Sequence, residues 1–436
     1  MSASKLSELH IADLHERAAA AGIEGYRLLR REELIERLEG DGEAPARSED
    51  RDEAPAGPRR RRGRRGGRGR SGRERERLSD DGDGERRPPR REREQRAEDP
   101  EPDETEEVTG VLELTRQRHG FLRLGALTPR DDDVYVSASQ VRRCDLRPGD
   151  EVTGPARQAR RGERHRALVH VDRVNGGEPQ EEGRVAFEEL TPEPPSRRIE
   201  IPSDAGLLAR AVDLFAPLAY GQRTLIRATP HSGRTTLLRQ LGKAIAGGDA
   251  TLIVLLIDER PEELPAWERE LPDTELALAP ADLAPAEQVR IAELALERAR
   301  RVAEAGGDAV LICDSLSRLA VAADGVAEVK RLFGSGRALA EEDAGSLTVI
   351  ATALDEGEDE GSAERAVATT ETALVTLEAS LAEERIEPAL RFADCRAVGE
   401  DELRSEEEQD EIRRLRSEIA QATPPEAAAL VRERLG

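Results

Sequence analysis

The sequence has few aromatic residues, few cysteines and no long apolar run. Its 436 residues include 5 Phe, 3 Tyr and 1 Trp, so a hydrophobic core must be built from Leu, Val, Ala and Ile. Cys144, Cys313 and Cys395 lie far apart, which argues against a disulfide framework and a C-x-x-C metal site. No run approaches the about 18 apolar residues of a membrane span, and the charged N-terminus MSASKLSELHIADLHERA lacks the apolar core of a signal peptide. The composition therefore predicts a cytoplasmic protein with no membrane partner.

Charge is distributed unevenly along the chain. The formal net charge of −24 argues against a uniformly basic nucleic-acid-binding protein. Residues 43–107 nevertheless contain the run PRRRRGRRGGRGRSGRERER, followed by the acidic EDPEPDETEE, with Leu78 as their only large apolar residue. This insert is predicted to be disordered because it cannot bury a core. Two interpretations stand: its arginines bind RNA phosphates, or it is a solvated linker whose acidic end binds its own basic middle.

Hydrophobic periodicity divides the remaining residues into domains. Leucine spacing predicts a helical domain at 1–42, which serves either protein contacts or nucleic-acid binding. Residues 108–180 alternate as five short strands, a pattern typical of an OB-type β-barrel. After a linker at 181–204, residues 205–400 alternate strands with helices, and their apolar strands predict a parallel α/β sheet. Residues 401–436 are charged and predicted to be helical. The fold class is thus multidomain, α+β and α/β.

The α/β region contains three features in the order found in P-loop ATPases. The stretch ATPHSGRTT joins a strand to a helix, where free amide groups and a glycine let the backbone approach a phosphate. Within it, the Thr235 hydroxyl can bind Mg²⁺. Asp258 and Glu259 lie at the C-terminal end of the apolar strand of LLIDERPEEL, where a carboxylate can polarise an attacking water. Asp314 ends the strand of AVLICDS, the position of a Mg²⁺-orienting aspartate. Because ligands bind at strand ends of open α/β sheets, the set predicts a site for ATP and Mg²⁺.

These motifs resemble those of the bacterial transcription termination factor Rho family. VLLIDERPEEL is similar to the family's VLLIDERPEEV, and the similarity continues through YGQRTLI, DSLSRLA, GSLTVIATAL and AEERIEPAL. In the barrel, HGFLR, DDVYVSASQVRRCDLRPGD and GERHRALVHVDRVN resemble the family's RNA-binding cold-shock-type domain. The helices of 1–42 resemble its small N-terminal domain. The resemblance implies a RecA-like ATPase domain and a hexameric ring that captures RNA on its barrels.

The resemblance also implies an RNA-binding set. Phe121 and Tyr135 match family aromatics that stack on bases, and His119 and His165 stand at two further aromatic positions. An alternative from the residues alone is that Phe121 and Tyr135 only pack the barrel. The set comprises Arg118, His119, Gly120, Phe121, Leu122, Arg123, Asp133, Val134, Tyr135, Glu163, Arg164 and His165.

For the nucleotide, the resemblance assigns catalytic positions to Glu259 and Asp314 and an interface arginine to Arg385. Thr235 and Asp314 are expected to act through Mg²⁺. The nucleotide-binding set comprises Ala219, Tyr220, Gly221, Gln222, Arg223, Thr224, His231, Ser232, Gly233, Arg234, Thr235, Thr236 and Arg260.

The chain departs from the family pattern at functional positions. Arg234 replaces the phosphate-binding lysine, and a planar guanidinium cannot occupy the same point as a compact ammonium. Glu387 stands where the family has an aromatic next to adenine, and Arg396 is shifted from the arginine finger. The Gly-rich Q-loop is missing, and ERAVATTET lacks the lysine of the family's FKGTGN loop.

The sequence therefore predicts a Rho-like factor that binds nascent single-stranded RNA and couples RNA-dependent ATP hydrolysis to translocation and transcript release. Its expected partners are the RNA polymerase elongation complex and further copies of itself in a homohexamer. The alternative is a catalytically weak or inactive paralogue that acts as an RNA-binding or regulatory component of a mixed ring with another Rho.

Overall fold

The computed structural model describes residues 105–180, 183–272, 274–354 and 362–436. The predicted helical domain at 1–42 and the Arg/Gly-rich insert, up to residue 104, lie outside the described residues. The barrel and the α/β module belong to one compact unit. Within the described parts of the chain, no helix is long and apolar enough to cross a membrane.

The first module is a small barrel, as predicted. Pairing of β1 with both β2 and β4 closes the path β1-β2-β3-β5-β4, and β6 extends from β4. The side chains of Leu112, Leu122, Val134, Val136 and Val152 are completely buried inside it. Its elements are β1 Thr105–Leu114, β2 Gly120–Arg123, β3 Val134–Val136, helix α1 Ala138–Arg143, β4 Glu151–Arg157, β5 Arg166–Leu168 and β6 Arg173–Val174.

The barrel differs from the prediction at three places. Residues 105–107, assigned to the insert, belong to β1 because Thr105 pairs with Arg157 of β4. The predicted strand DVYVSA stops early because Ser137 starts α1 through a capping box, in which its side chain accepts from the Gln140 amide. The predicted strand ALVHVDRV is divided into β5 and β6.

The second module is a mainly parallel sheet covered on both faces. The spatial order β10-β9-β11-β13-β8-β14-β15 is parallel from β10 to β14. Its strands are β7 Pro192–Glu193, β8 Arg223–Ala228, β9 Thr251–Glu259, β10 Glu275–Pro280, β11 Asp308–Asp314, β12 Arg337–Leu339, β13 Ser346–Leu354, β14 Ala373–Thr376 and β15 Arg396–Ala397. Its helices are α2 Leu207–Phe215, α3 Arg234–Ala246, α4 Leu264–Glu270, α5 Pro285–Glu304, α6 Leu316–Ala322, α7 Ala327–Gly334, α8 Ala363–Val367, α9 Ala379–Glu383, α10 Glu406–Ile419 and α11 Pro424–Leu435.

Apolar runs explain this sheet. Strands β9, β11 and β13 are buried along almost their whole length, since helices pack on both sides. Helices α2, α3, α10 and α11 contribute to the core on one face, and α5, α6 and α7 to the core on the other. The predicted linker at 181–204 is partly packed, because Phe187 is completely buried and its amide donates to Glu304.

The strand order positions the predicted nucleotide site. The strand before the phosphate loop, β8, and the strand that ends at Asp314, β11, are separated by β13. Glu259 ends β9, on the other side of β11. Because these strands run parallel, their carboxyl ends meet at one edge of the sheet.

Candidate nucleotide and RNA sites

The loop between β8 and α3 has the backbone of an anion-binding turn. His231 and Gly233 adopt left-handed φ values of 64° and 90°, and Gly233 immediately precedes the first turn of α3. Buried Ser232 holds the loop, because its hydroxyl donates to the Thr229 carbonyl at 2.7 Å. The loop therefore directs the helix N-terminus, with its free amide groups, towards the sheet edge.

A bulge in β9 aims Glu259 at this edge. The pairing register with β10 shifts between Ala279 and Pro280, and Asp258 has a left-handed φ of 52°. As a result Asp258 is exposed whereas the next residue, Glu259, is buried. The bulge thus turns the predicted catalytic carboxylate inwards.

Asp314 is held by the neighbouring strand. Its Oδ1 accepts a hydrogen bond from the Thr352 hydroxyl of β13 at 2.8 Å, and only 2% of its side chain is exposed. Sequence reasoning missed Thr352, because nothing within β13 distinguishes it from the other buried residues of that strand.

Arg318 is a second residue that sequence reasoning missed. Its Nη1 donates to Glu259 Oε2 at 2.7 Å and to the Ile257 carbonyl at 3.3 Å. Arg318 lies in the first turn of α6, the helix that follows Asp314. The position of Arg318 in DSLSRLA could have indicated this contact. A helix that begins at the end of a strand keeps its first turn close to that edge of the sheet.

Arg234 connects the two predicted catalytic carboxylates. Its Nε lies 3.1 Å from Asp314 Oδ1, and its Nη2 lies 3.8 Å from Glu259 Oε2. The residue that replaces the family's lysine therefore forms ion pairs within the site, and its side chain is only 15% exposed.

The two carboxylates have different electrostatic environments. Burial raises the pKa of Asp314, and the charge of Arg234 opposes that shift. Burial also acts to raise the pKa of Glu259, but hydrogen bonds from Arg318 and the Arg260 amide outweigh it and hold this pKa below its ordinary value. The surroundings of Glu259 thus favour its ionised form, whereas the burial of Asp314 disfavours the ionised form.

Part of the predicted nucleotide-binding set lies elsewhere. Residues 219–224 precede or begin β8, at the end of that strand opposite the phosphate loop. There Gln222 donates to the Pro217 carbonyl, and Tyr220 stacks under Arg197 at 4.1 Å. Residues 219–224 are therefore separated from the phosphate loop by the length of β8, and their place in the nucleotide-binding set stays a prediction.

The side chains of the predicted arginines Arg260 and Arg385 are exposed. The Arg260 side chain is 73% exposed and donates to Glu263 at 2.8 Å. Arg385 and Glu387 are exposed in the turn after α9, and Arg396 pairs with Glu371 at 3.1 Å. Arg260 Nε nevertheless lies 3.9 Å from Glu259 Oε1. Within residues 105–180, 183–272, 274–354 and 362–436, Arg385 and Arg396 have no described contact with Glu259 or Asp314.

On the barrel, the predicted aromatic residues form one outer cluster. Phe121 of β2 and Tyr135 of β3 are directly opposite in register, with ring centroids 5.9 Å apart. His119 lies 5.4 Å from Tyr135, and His165 lies 5.1 Å from Phe121. Phe121 and Tyr135 are partly exposed while their neighbours in the strands point into the core. This arrangement favours contact with bases over the alternative that the two rings only pack the barrel.

Two members of the predicted RNA-binding set are core residues. Leu122 and Val134 are completely buried, since strand alternation points them inwards when Phe121 and Tyr135 point outwards. Their side chains therefore belong to the barrel core, and their place in the RNA-binding set stays a prediction. Gly120 is buried as well, and a Cβ there would lie 2.6 Å from a methyl group of Leu112.

Charged residues beside the aromatic cluster are paired. Arg123 forms ion pairs with Asp133 and Glu113, and its side chain is only 6% exposed. Glu163 accepts from both terminal nitrogens of Arg157 at 2.7 and 2.8 Å. These hydrogen bonds, with one from the Arg160 amide, lower the pKa of Glu163 to about 2.

The structure thus joins a barrel of the type that binds RNA to a nucleotide-binding module with a phosphate loop, and comparison with known proteins agrees with both assignments. Residues 108–180 match the Rho termination factor RNA-binding domain, and residues 209–338 match the ATP synthase alpha/beta family nucleotide-binding domain. The chain belongs to the Rho transcription termination factor family. This confirms the predicted family and fold class.

Three relatives illustrate the similarity. The transcription termination factor Rho of Bacillus subtilis is 40% identical over 306 residues, which cover 64% of this chain and 71% of that protein. The Rho of Thermotoga maritima is 37% identical, covering 75% of this chain and 82% of its own. The Rho of Pseudomonas aeruginosa is 36% identical, covering 70% and 79% respectively.

Proposed function

We propose that this chain is an RNA-binding transcription termination factor that couples ATP hydrolysis to movement along RNA. The observation that carries the proposal is that one compact unit contains both candidate sites. Phe121 and Tyr135 face outwards on the barrel, and Glu259 and Asp314 lie next to the phosphate loop at the edge of the parallel sheet. Stacking on aromatic rings contributes about 1–3 kcal/mol per base and accepts any base.

At the nucleotide site, each residue has a distinct task. The amide groups at the start of α3 bind phosphate oxygens, and Glu259, held ionised by Arg318, orients and deprotonates the attacking water. Asp314 and the Thr235 hydroxyl are oxygen ligands of the kind that Mg²⁺ prefers, and they would hold this ion. When bound, Mg²⁺ neutralises the charge of the phosphates.

Assembly completes the proposal. Arg385 lies on the surface and has no described contact with the catalytic carboxylates of its own chain, which suits an arginine that serves the site of a neighbouring copy. A homohexameric ring, or a mixed ring with another Rho, would bring these surfaces together. RNA polymerase in its elongation complex is the proposed partner.

A second function is favoured by the position of Arg234. In place of a lysine free to bind phosphates, this residue pairs with both carboxylates. Such a site hydrolyses ATP slowly, and the chain would then act as an RNA-binding or regulatory component of a ring.

The two functions are separated by measuring ATP hydrolysis of the purified protein with and without poly(C) RNA, together with RNA binding at several salt concentrations. RNA-stimulated turnover supports the motor, whereas salt-sensitive RNA binding without turnover supports the regulatory component. Absence of RNA binding would overturn both.

A further inference from the structure

The barrel and the α/β module share an ion pair next to the RNA-facing aromatic cluster. Arg290, near the start of α5, donates from Nε to Glu113 Oε1 at 2.7 Å. The other oxygen of the same carboxylate accepts from Arg123 Nε at 2.8 Å. Glu113 of β1 therefore bridges an arginine of the barrel and an arginine of the α/β module.

Arg123 lies next to the aromatic cluster. Its guanidinium carbon is 5.8 Å from the Phe121 ring centroid, and its remaining contact is the ion pair with buried Asp133. A cleft of about 890 Å³ opens beside these groups, with Phe121 and His165 on the barrel side and Arg290 on the α5 side. An RNA strand that leaves the aromatic cluster on this side enters a cleft whose walls come from both modules.

The charges in this cluster balance only when Arg290 is included. Arg123 carries one positive charge against the two negative charges of Glu113 and Asp133. Arg290 supplies the second positive charge. Without it, this ion-paired group, which forms the floor of the cleft, would carry a net negative charge, and that charge opposes RNA binding locally. The other charged side chains that line the cleft are Arg116, Arg130, Arg164, Asp131 and Glu293.

Other contacts hold the two modules together independently of Arg290. The Leu127 amide donates to the Leu276 carbonyl of β10 at 2.8 Å, and the Thr128 hydroxyl donates to the Leu278 carbonyl, also at 2.8 Å. A further ion pair joins Arg298 of α5 to Glu151 of the barrel at 2.7 Å. Removal of the Arg290 charge therefore leaves the docking of the barrel in place.

We propose that Arg290 is a positioning residue for RNA binding, supplied to the barrel by the α/β module. Through Glu113 it fixes Arg123 next to Phe121 and keeps the cleft floor neutral. This inference rests on the proposed RNA-binding function of the barrel.

The test is fluorescence anisotropy of a short labelled oligocytidine with the full-length chain. Arg290→Gln is expected to weaken RNA binding about tenfold, and Arg290→Lys to restore most of it, because lysine returns the positive charge. The matched control is Arg413→Gln, since Arg413 is also an exposed, carboxylate-paired arginine on a helix, with 59% exposure against 55% for Arg290. It should bind RNA as the unaltered chain does.

A double variant gives a readout that a merely structural role would not produce. Adding Glu113→Gln to Arg290→Gln removes one negative charge and returns the cleft floor to neutrality, so the double variant should bind RNA more tightly than Arg290→Gln alone. The proposal is overturned if Arg290→Gln behaves like Arg413→Gln. It is also overturned if the double variant loses affinity additively, or if Arg290→Gln lowers the salt dependence by about one phosphate contact, which would indicate direct contact with RNA. If the unaltered chain binds no RNA, the proposed function itself fails.

Discussion

The two candidate sites differ in what their charged and aromatic groups do before any ligand binds. On the barrel, Phe121 and Tyr135 face outwards, and the nearby Arg123 forms ion pairs with Glu113 and Asp133. At the sheet edge, Arg234 pairs with Asp314 and Glu259, the groups expected to act on the nucleotide. RNA would therefore meet aromatic rings that are already partly exposed, whereas a nucleotide must compete with ion pairs inside the site.

The largest expected effect is at Glu259. Replacement Glu259→Gln removes the base while keeping the shape of the side chain, and should lower ATP turnover at least about 10²-fold with RNA binding unchanged. Steady-state hydrolysis in saturating RNA measures this effect. Glu262→Gln, in the following turn, is the matched control and should keep full turnover. Equal turnover in the two variants would remove Glu259 from the mechanism.

The next effect concerns the aromatic cluster. Phe121→Ala should weaken the binding of single-stranded RNA by about 1–3 kcal/mol, since one stacking surface is lost. Affinity for a fluorescent ATP analogue should not change, which separates the two sites. Val398→Ala removes an exposed apolar side chain of the α/β module and serves as the control. An unchanged RNA affinity of Phe121→Ala would show that RNA does not use this face.

A smaller effect, opposite in sign, is expected at Arg234. Arg234→Lys should raise ATP turnover several-fold, up to about tenfold, because a single ammonium cannot bridge both carboxylates and is better shaped to lie between phosphates. Arg239→Lys, one turn further along α3, is the matched control. Lower turnover in Arg234→Lys would indicate that the guanidinium is a working part of this site and would weaken the contrast between the two sites.

The smallest effect is a change in titration on the barrel. Glu163, with a pKa of about 2, should remain ionised when ordinary glutamates, with pKa values of about 4.3, are protonated. Because the pKa of Glu163 is lower in the folded chain than in the unfolded chain, its ion pair with Arg157 stabilises the fold at pH values above the unfolded pKa. This stabilisation is lost as the pH falls through the folded pKa. Carboxyl NMR titration measures this, and Arg157→Gln should move the pKa back towards its ordinary value. A Glu163 pKa near 4.3 in the unaltered chain would contradict the ion pair.

Sequence patterns predicted the architecture well where burial is periodic. The alternation around Phe121 and the apolar runs before Glu259 and Asp314 predicted the barrel and the parallel sheet. Strand β10 was missed, because a short apolar run such as ELALAP cannot be distinguished from a buried helix segment by period alone.

The candidate sites were predicted less completely, because proximity depends on tertiary structure. The sequence placed Glu259 and Asp314 at strand ends, but the bulge at Asp258 that turns Glu259 inwards has no sequence pattern of its own. Motif matching grouped Leu122 with Phe121, although adjacent residues of a strand face opposite sides. The ion pair between Arg290 and Glu113 joins residues 177 positions apart, and nothing local to either predicts it.

The backbone contact between the loop that holds Leu127 and strand β10 has a consequence for protein engineering. Strand β10 is the outermost strand on its side of the sheet, and this loop covers part of its otherwise open edge. Uncovered strand edges offer unpaired backbone groups to other chains and promote aggregation. The barrel is therefore also a solubility element for the ATPase module, and a truncated protein lacking it should self-associate through β10 even though every residue of the nucleotide site is present.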